Sequence, residues 1–273
     1  MPYRDFLGPL ALSVSLLAQG AALGETVTFE SGAKPPSPFQ IRLAKNQGRP
    51  VPKGVPGIEV KGELAKPNGD GPHPAIVILH TCDGVMKHVS RDWPAFLNGL
   101  GYATLTVDSF GSRNLGACPN GLKHTTMLDD AFGALDFLAR QDFIDAGRIG
   151  VFGFSKGGVV VNEMAATQYR VSSIQFRAGV SFYGPCETLL GVEHQLHMPI
   201  IEIIGEHDPE TAACRNLGAS AKLMVTELPD AHHGFDVQES SGRTNARGTE
   251  MRYSAEAAAM AREIAKAFLS RHF

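Results

Sequence analysis

Apolar positions along the 273-residue chain follow two alternating rhythms. Short, nearly continuous apolar runs have the character of strands covered on both faces: Ala75-Ile-Val-Ile-Leu, Ala103-Thr-Leu-Thr-Val, Arg148-Ile-Gly-Val-Phe-Gly-Phe and Ala178-Gly-Val-Ser-Phe-Tyr. Pro199-Ile-Ile-Glu-Ile-Ile and Leu223-Met-Val-Thr-Glu-Leu continue the series. Between them the spacing turns helical. Trp93, Phe96, Leu97 and Leu100 precede a stop at Gly101, and Met127/Leu128, Ala131/Phe132, Leu135 and Leu138 form a stripe. Further helices are predicted over Val159 to Ala166 and at the C-terminus, where Ala257, Ala261, Ile264, Ala265 and Phe268 share a face. Ile58 to Leu64 alternates apolar and polar, as an edge or antiparallel strand does. The Pro- and Gly-rich stretch from Ser31 to Gly57 predicts extended arms and turns, with one strand over Phe39 to Leu43. Strand–helix alternation of this kind predicts an α/β fold, a mostly parallel sheet flanked by helices on both faces.

Composition narrows the classes. An apolar fraction of 43% and a mean hydropathy of −0.06 describe a globular chain. A net charge of −3 with scattered Lys and Arg gives no footprint for nucleic acid or an anionic membrane. The first residues differ from the rest: Arg4, an apolar run from Phe6 to Ala18, then small residues to Gly24. That pattern predicts a signal peptide over 1–24, too short for a membrane anchor, ahead of a single domain over 25–273 and a periplasmic or secreted protein. Cys82, Cys118, Cys186 and Cys214 are too widely spaced for a compact zinc site, and in an exported protein they predict two disulfides of unspecified pairing.

The sharpest local signal is Gly153-Phe-Ser155-Lys-Gly157-Gly158 between a predicted strand and a predicted helix. A serine on such a tight turn needs small neighbours, and its hydroxyl then stands above the sheet edge, beside the N–H groups that open the helix. A hydroxyl is a weak nucleophile and needs a base that an acid orients. Two downstream segments supply these in the order expected of such folds: Gly205-Glu-His-Asp208 and Asp230-Ala-His-His233-Gly-Phe. Asp208 is preferred to Glu206 because the Asp-Pro turn carries it clear of the strand, and His233 to His232 because Gly234 lets the loop turn there. The backbone N–H groups of Lys156 and Cys82 are the expected oxyanion donors. Cys82 as the nucleophile is a weaker alternative, having no base or helix start beside it. His194, His197 and the His232/His233 pair lack further ligands at metal-binding spacing, so no metal or cofactor is expected. Trp93, Phe110 and Tyr183 are candidates either for the substrate pocket or for the core.

Together, Ala75-Ile-Val-Ile-Leu-His-Thr-Cys-Asp-Gly, Val107-Asp-Ser-Phe-Gly-Ser-Arg, Gly-Phe-Ser-Lys-Gly-Gly, Gly205-Glu-His-Asp and Ala231-His-His-Gly-Phe resemble the dienelactone hydrolase family of α/β hydrolases, from Ile58 to the C-terminus. The resemblance implies a triad of Ser155, Asp208 and His233, an oxyanion hole from the Cys82 and Lys156 backbones, and a small ester or lactone substrate. It also implies that Arg113 could hold a substrate carboxylate, against the alternative of an ion pair with a carboxylate such as Asp108, and that the cysteines pair as Cys82–Cys118 and Cys186–Cys214. The namesake enzymes carry a cysteine where this chain has Ser155, which implies a more general esterase. An amidase or peptidase of prolyl-oligopeptidase type, and a silent binding protein of the same fold, are the alternatives.

Overall fold

Two apolar layers lie on opposite faces of one sheet, as strand alternation dictates. In β3 (His73–Leu79), Ala75, Val77 and Leu79 point to one layer while Ile76 and Ile78 point to the other. The computed structural model describes residues 24–32, 36, 38–117, 124–167, 174–245 and 248–273. Residues 1–23 of the expected signal peptide, and Cys118, lie outside the described residues.

The remaining strands of this sheet are β1 (Glu25–Glu30), β2 (Glu59–Ala65), β4 (Ala103–Asp108), β5 (Ile144–Phe154), β6 (Gly179–Phe182), β7 (Ile200–Gly205) and β8 (Leu223–Leu228). The eight-stranded sheet runs in the order β1-β2-β4-β3-β5-β6-β7-β8. All neighbours from β4 to β8 are parallel, whereas β2 pairs antiparallel with both β1 and β4. The helices are α1 (Pro38–Asn46), α2 (Trp93–Gly99), α3 (His124–Leu138), α4 (Lys156–Ala166), α5 (Thr211–Arg215) and α6 (Ala255–His272). Met127, Leu135 and Val161 of α3 and α4 fill one layer; Trp93, Leu97, Ala261 and Phe268 of α2 and α6 fill the other. This is the α/β architecture expected from the periodicity.

One local expectation is corrected. Phe39 to Leu43 is not a strand but part of α1, which Pro38 opens. Proline lacks an N–H that the first turn of a helix leaves unpaired anyway, and no Pro or Gly follows until Gly48. Of the two readings of Ile58 to Leu64, the antiparallel one holds: β2 pairs antiparallel on both sides and is not the edge, because β1 pairs outside it from Glu25↔Leu64 to Glu30↔Glu59. A six-residue strand that exposes most of its side chains leaves a faint sequence signal.

Arg113 lies just beyond β4, and its partner is not Asp108. Its guanidinium donates to both carboxylate oxygens of Asp130 on α3, each at 2.8 Å, and to the Ser109 carbonyl at 2.7 Å. Asp108 instead accepts from the Gly111 N–H at 2.7 Å. Burial pushes the Asp130 carboxyl up from its ordinary range, and Arg113 pulls it back. A planar fork suits this bidentate contact, and 17 residues of separation hid it from sequence inspection. Cys186 and Cys214 form a disulfide that ties the segment after β6 to α5, in agreement with the implied pairing, and Cys82 is also disulfide-bonded. Among the described residues no helix is long and apolar enough to cross a membrane.

Arg113→Ala leaves a buried carboxylate without its fork, and a loss of about 3 kcal/mol of unfolding free energy is expected in urea titration. Replacing Cys186 and Cys214 by serine reopens a 28-residue loop in the unfolded chain, and the same titration should show a loss of about 2–4 kcal/mol.

Candidate active site

Ser155 sits between the last residue of β5 and the first of α4, with φ 50° and ψ −105°. A non-glycine residue in this region is strained and persists only where its surroundings fix it. Here the Ser155 N–H donates to the Phe182 carbonyl at 2.9 Å, and the Ser155 carbonyl accepts from the Val159 N–H at 3.0 Å. The flanking glycines are set by close backbone approach. A Cβ on Gly153 would stand 2.1 Å from the Gly157 carbonyl oxygen, and one on Gly157 would stand 2.4 Å from the Leu79 carbonyl oxygen. So the motif lets α4 begin directly against the ends of β3 and β5.

Asp208 and His233 arrive on loops beyond β7 and β8, at the same carboxyl edge of the sheet, where open α/β sheets place their ligands. One carboxylate oxygen of Asp208 accepts from the Glu210 N–H at 3.1 Å, and the other lies 2.6 Å from His233 Nδ1. His233 Nε2 lies 3.0 Å from Ser155 Oγ. An ionised carboxylate can only accept, so Nδ1 carries the ring proton and Nε2 is left to accept from the hydroxyl. Asp208 and His233 are 3% and 6% exposed, so water competes little for either contact. The His233 loop is held by a bridge to Met251, and Gly234 turns it at φ +66°.

The alternatives raised by the sequence are placed elsewhere. Glu206 is exposed, and its carboxylate accepts from the Asp230 N–H at 3.0 Å. The His232 ring lies against His207, at 4.9 Å between centroids. Cys82 is disulfide-bonded. Glu206, His207 and Asp230 do bring donor atoms within 4.8 Å of one another, a grouping that residue spacing did not suggest; all three are exposed, and His207 already faces Asp230 at 3.6 Å.

Around the expected oxyanion loop, Thr81 and Gly84 bridge. The Asp83 N–H donates to the Thr81 hydroxyl at 3.1 Å, and the Gly84 N–H to the Thr81 carbonyl at 3.2 Å. Gly84 holds φ +85° there, the conformation for which its missing Cβ fits it.

Trp93, Phe110 and Tyr183 are all buried, at 1%, 2% and 0% exposure, and belong to the core. Sequence reasoning missed what two of them hold. Asp236 accepts from Trp93 Nε1 at 2.7 Å and from the Tyr183 hydroxyl at 2.8 Å. Burial and Asp236 push the Tyr183 phenol well above its ordinary range, so it remains a donor. Its ring in turn packs on His233, 4.8 Å between centroids. The nearby His-Gly-Phe-Asp236 sequence was the available signal, but nothing in it indicates partners 143 and 53 residues away.

Solved structures share this fold. One is a putative dienelactone hydrolase from Klebsiella pneumoniae subsp. pneumoniae MGH 78578 (TM-score 0.61, 20% identity, 90% of this chain and 99% of that one). Another is the dienelactone hydrolase-like promiscuous phosphotriesterase P91 from metagenomic libraries (TM-score 0.64, 19% identity, 93% and 100%). A third, Est1E from Butyrivibrio proteoclasticus, was solved with ferulic acid bound (TM-score 0.56, 17% identity, 79% and 96%). Residues 60–273, from the second residue of β2 to the C-terminal end, match the model of the dienelactone hydrolase family, and the chain belongs to that family.

Proposed function

We propose that this hydrolase cleaves a small carboxylic ester or lactone through an acyl-enzyme on Ser155, with His233 as base and Asp208 as the acid that orients it. The observation that carries the reading is the unbroken chain Asp208–His233–Ser155, at 2.6 and 3.0 Å, assembled from three separate loops.

In the proposed reaction, His233 Nε2 takes the hydroxyl proton as Ser155 Oγ bonds to the carbonyl carbon. The carbonyl π electrons move to oxygen, which the Cys82 and Lys156 backbone N–H groups receive; such donors are worth about 3–4 kcal/mol each in the transition state. Collapse breaks the bond to the alkoxy oxygen, which leaves with the proton from the imidazolium. Water then attacks the acyl-enzyme, giving one proton to His233, and the collapse returns a proton to Ser155 and frees the acid. In a lactone the departing alcohol stays tethered to the acyl group. Asp208 fixes the tautomer and stabilises the imidazolium. No step requires a metal or cofactor. Arg113 has no part in this reading, since Asp130 occupies its fork.

We further read the chain as exported, to the periplasm or medium, a reading that the disulfide-bonded cysteines support. Ferulic acid in Est1E is a carboxylic acid, the class of product that ester cleavage releases.

Ser155→Ala should lower kcat for p-nitrophenyl acetate by about 10⁴-fold or more while circular dichroism and melting are unchanged; retained turnover would refute the assignment. Asp208→Asn, which presents the wrong partner to Nδ1, should cost about 10⁴-fold in kcat in the same assay. Comparing p-nitrophenyl esters with the matching anilides separates ester from amide cleavage, and the ester should be turned over far faster.

A further inference from the structure

A second carboxyl, unused by the reaction above, lies beneath the serine turn. Glu202 is the one charged side chain in β7, between Ile201 and Ile203, and it is 0% exposed. Its neighbours in the strand point into the α2/α6 layer, so alternation turns Glu202 toward α4. One oxygen accepts from the Gly184 N–H at 2.9 Å, the other from Asn162 Nδ2 at 3.0 Å. Asn162 belongs to α4, the helix that Ser155 precedes, and its Nδ2 also donates to the Pro185 carbonyl at 3.1 Å. Gly184 directly follows Tyr183, whose ring lies on His233 and whose backbone is held at φ 42°. There is little slack between the two elements: a Cβ on Gly158 would stand 2.9 Å from Gly184 Cα, and one on Gly184 3.0 Å from the Gly158 carbonyl carbon.

Resting on the serine-hydrolase reading, we infer that Glu202 is a positioning residue that clamps the Tyr183–Gly184 turn to α4 and so sets His233 against Ser155. An isolated carboxyl in an apolar strand costs several kcal/mol and is kept only where its partners repay it. The partners here are one element bearing the hydroxyl and one supporting the imidazole. The groups facing the carboxyl are Asn162 from α4, Ser181 from β6 and, as the charged group, Asp208 from the loop beyond β7; the Ser181 hydroxyl lowers its pKa without completing a well-formed hydrogen bond. Burial outweighs them and raises the Glu202 carboxyl from 4.5 to about 8. Ionisation makes both oxygens acceptors only, which strengthens the bonds from the Gly184 N–H and Asn162 Nδ2, and adds negative charge to the site that an imidazolium must occupy. Activity therefore rises as pH passes through about 8. Stability runs the other way. The fold favours the protonated form, so the contribution is complete below pH 4.5 and lost progressively up to about pH 8.

The test compares Glu202→Leu and Glu202→Gln with wild type and Ser155→Ala, using p-nitrophenyl acetate turnover from pH 6 to 9.5 and melting curves from pH 4.5 to 9. Glu202→Leu should lower kcat at least tenfold with KM within twofold. Glu202→Gln, which keeps an oxygen for the Gly184 N–H, should recover to within about threefold of wild type at pH 7. It should also lose the rise near pH 8, and its melting temperature should gain on wild type as pH climbs from 4.5 to 8. A folded Glu202→Leu with wild-type kcat and pH profile overturns the role. If that variant does not fold, a wild-type pH profile in Glu202→Gln overturns it instead. Activity surviving in Ser155→Ala sinks the serine reading and this role with it, whereas an inert Ser155→Ala beside an unaffected Glu202→Leu sinks only the role of Glu202.

Discussion

The structure depends on how closely α4 can start against the sheet. Ser155 holds a left-handed backbone that a side-chain-bearing residue adopts at a cost of about 1–3 kcal/mol. The contacts at Gly153 and Gly157, where a single added carbon would overlap a carbonyl oxygen, allow the turn to be that tight. The site is measured from that turn: the Ser155 hydroxyl follows β5, and His233, on the loop beyond β8, reaches it.

Reach is secured by burial rather than by many contacts. Asp208 and His233 are almost wholly enclosed, which strengthens their hydrogen bond and makes any misalignment expensive. Tyr183, anchored through Asp236 to Trp93, gives the imidazole a rigid wall. Glu202 joins the support of that wall to the helix behind Ser155. The polar groups beneath the site thus form two short chains that tie core aromatics and α4 to the segments that support Asp208 and His233.

Structures of this fold are put to several chemistries, and fold alone does not choose among them. P91, similar in fold, is described as a promiscuous phosphotriesterase, and Est1E holds ferulic acid.

What the sequence by itself determined was whatever repeats at short range. Strand and helix periods predicted the parallel sheet and its two helical layers, and the glycine spacing around Ser155 identified the turn, because both follow from local backbone geometry. The order Ser155, Asp208, His233 named three side chains that do meet, and Gly234 marked the right histidine of an adjacent pair. Only the tertiary structure decided the long-range partners. Arg113 met Asp130 instead of Asp108, Asp236 collected Trp93 and Tyr183, and Glu202 met Asn162 and Gly184. It also made β1 the edge strand and turned Phe39 to Leu43 into helix. A hydrogen bond between residues tens of positions apart leaves no period in the chain, and a short element's conformation is set by what packs on it, so neither could be read before the sheet was assembled.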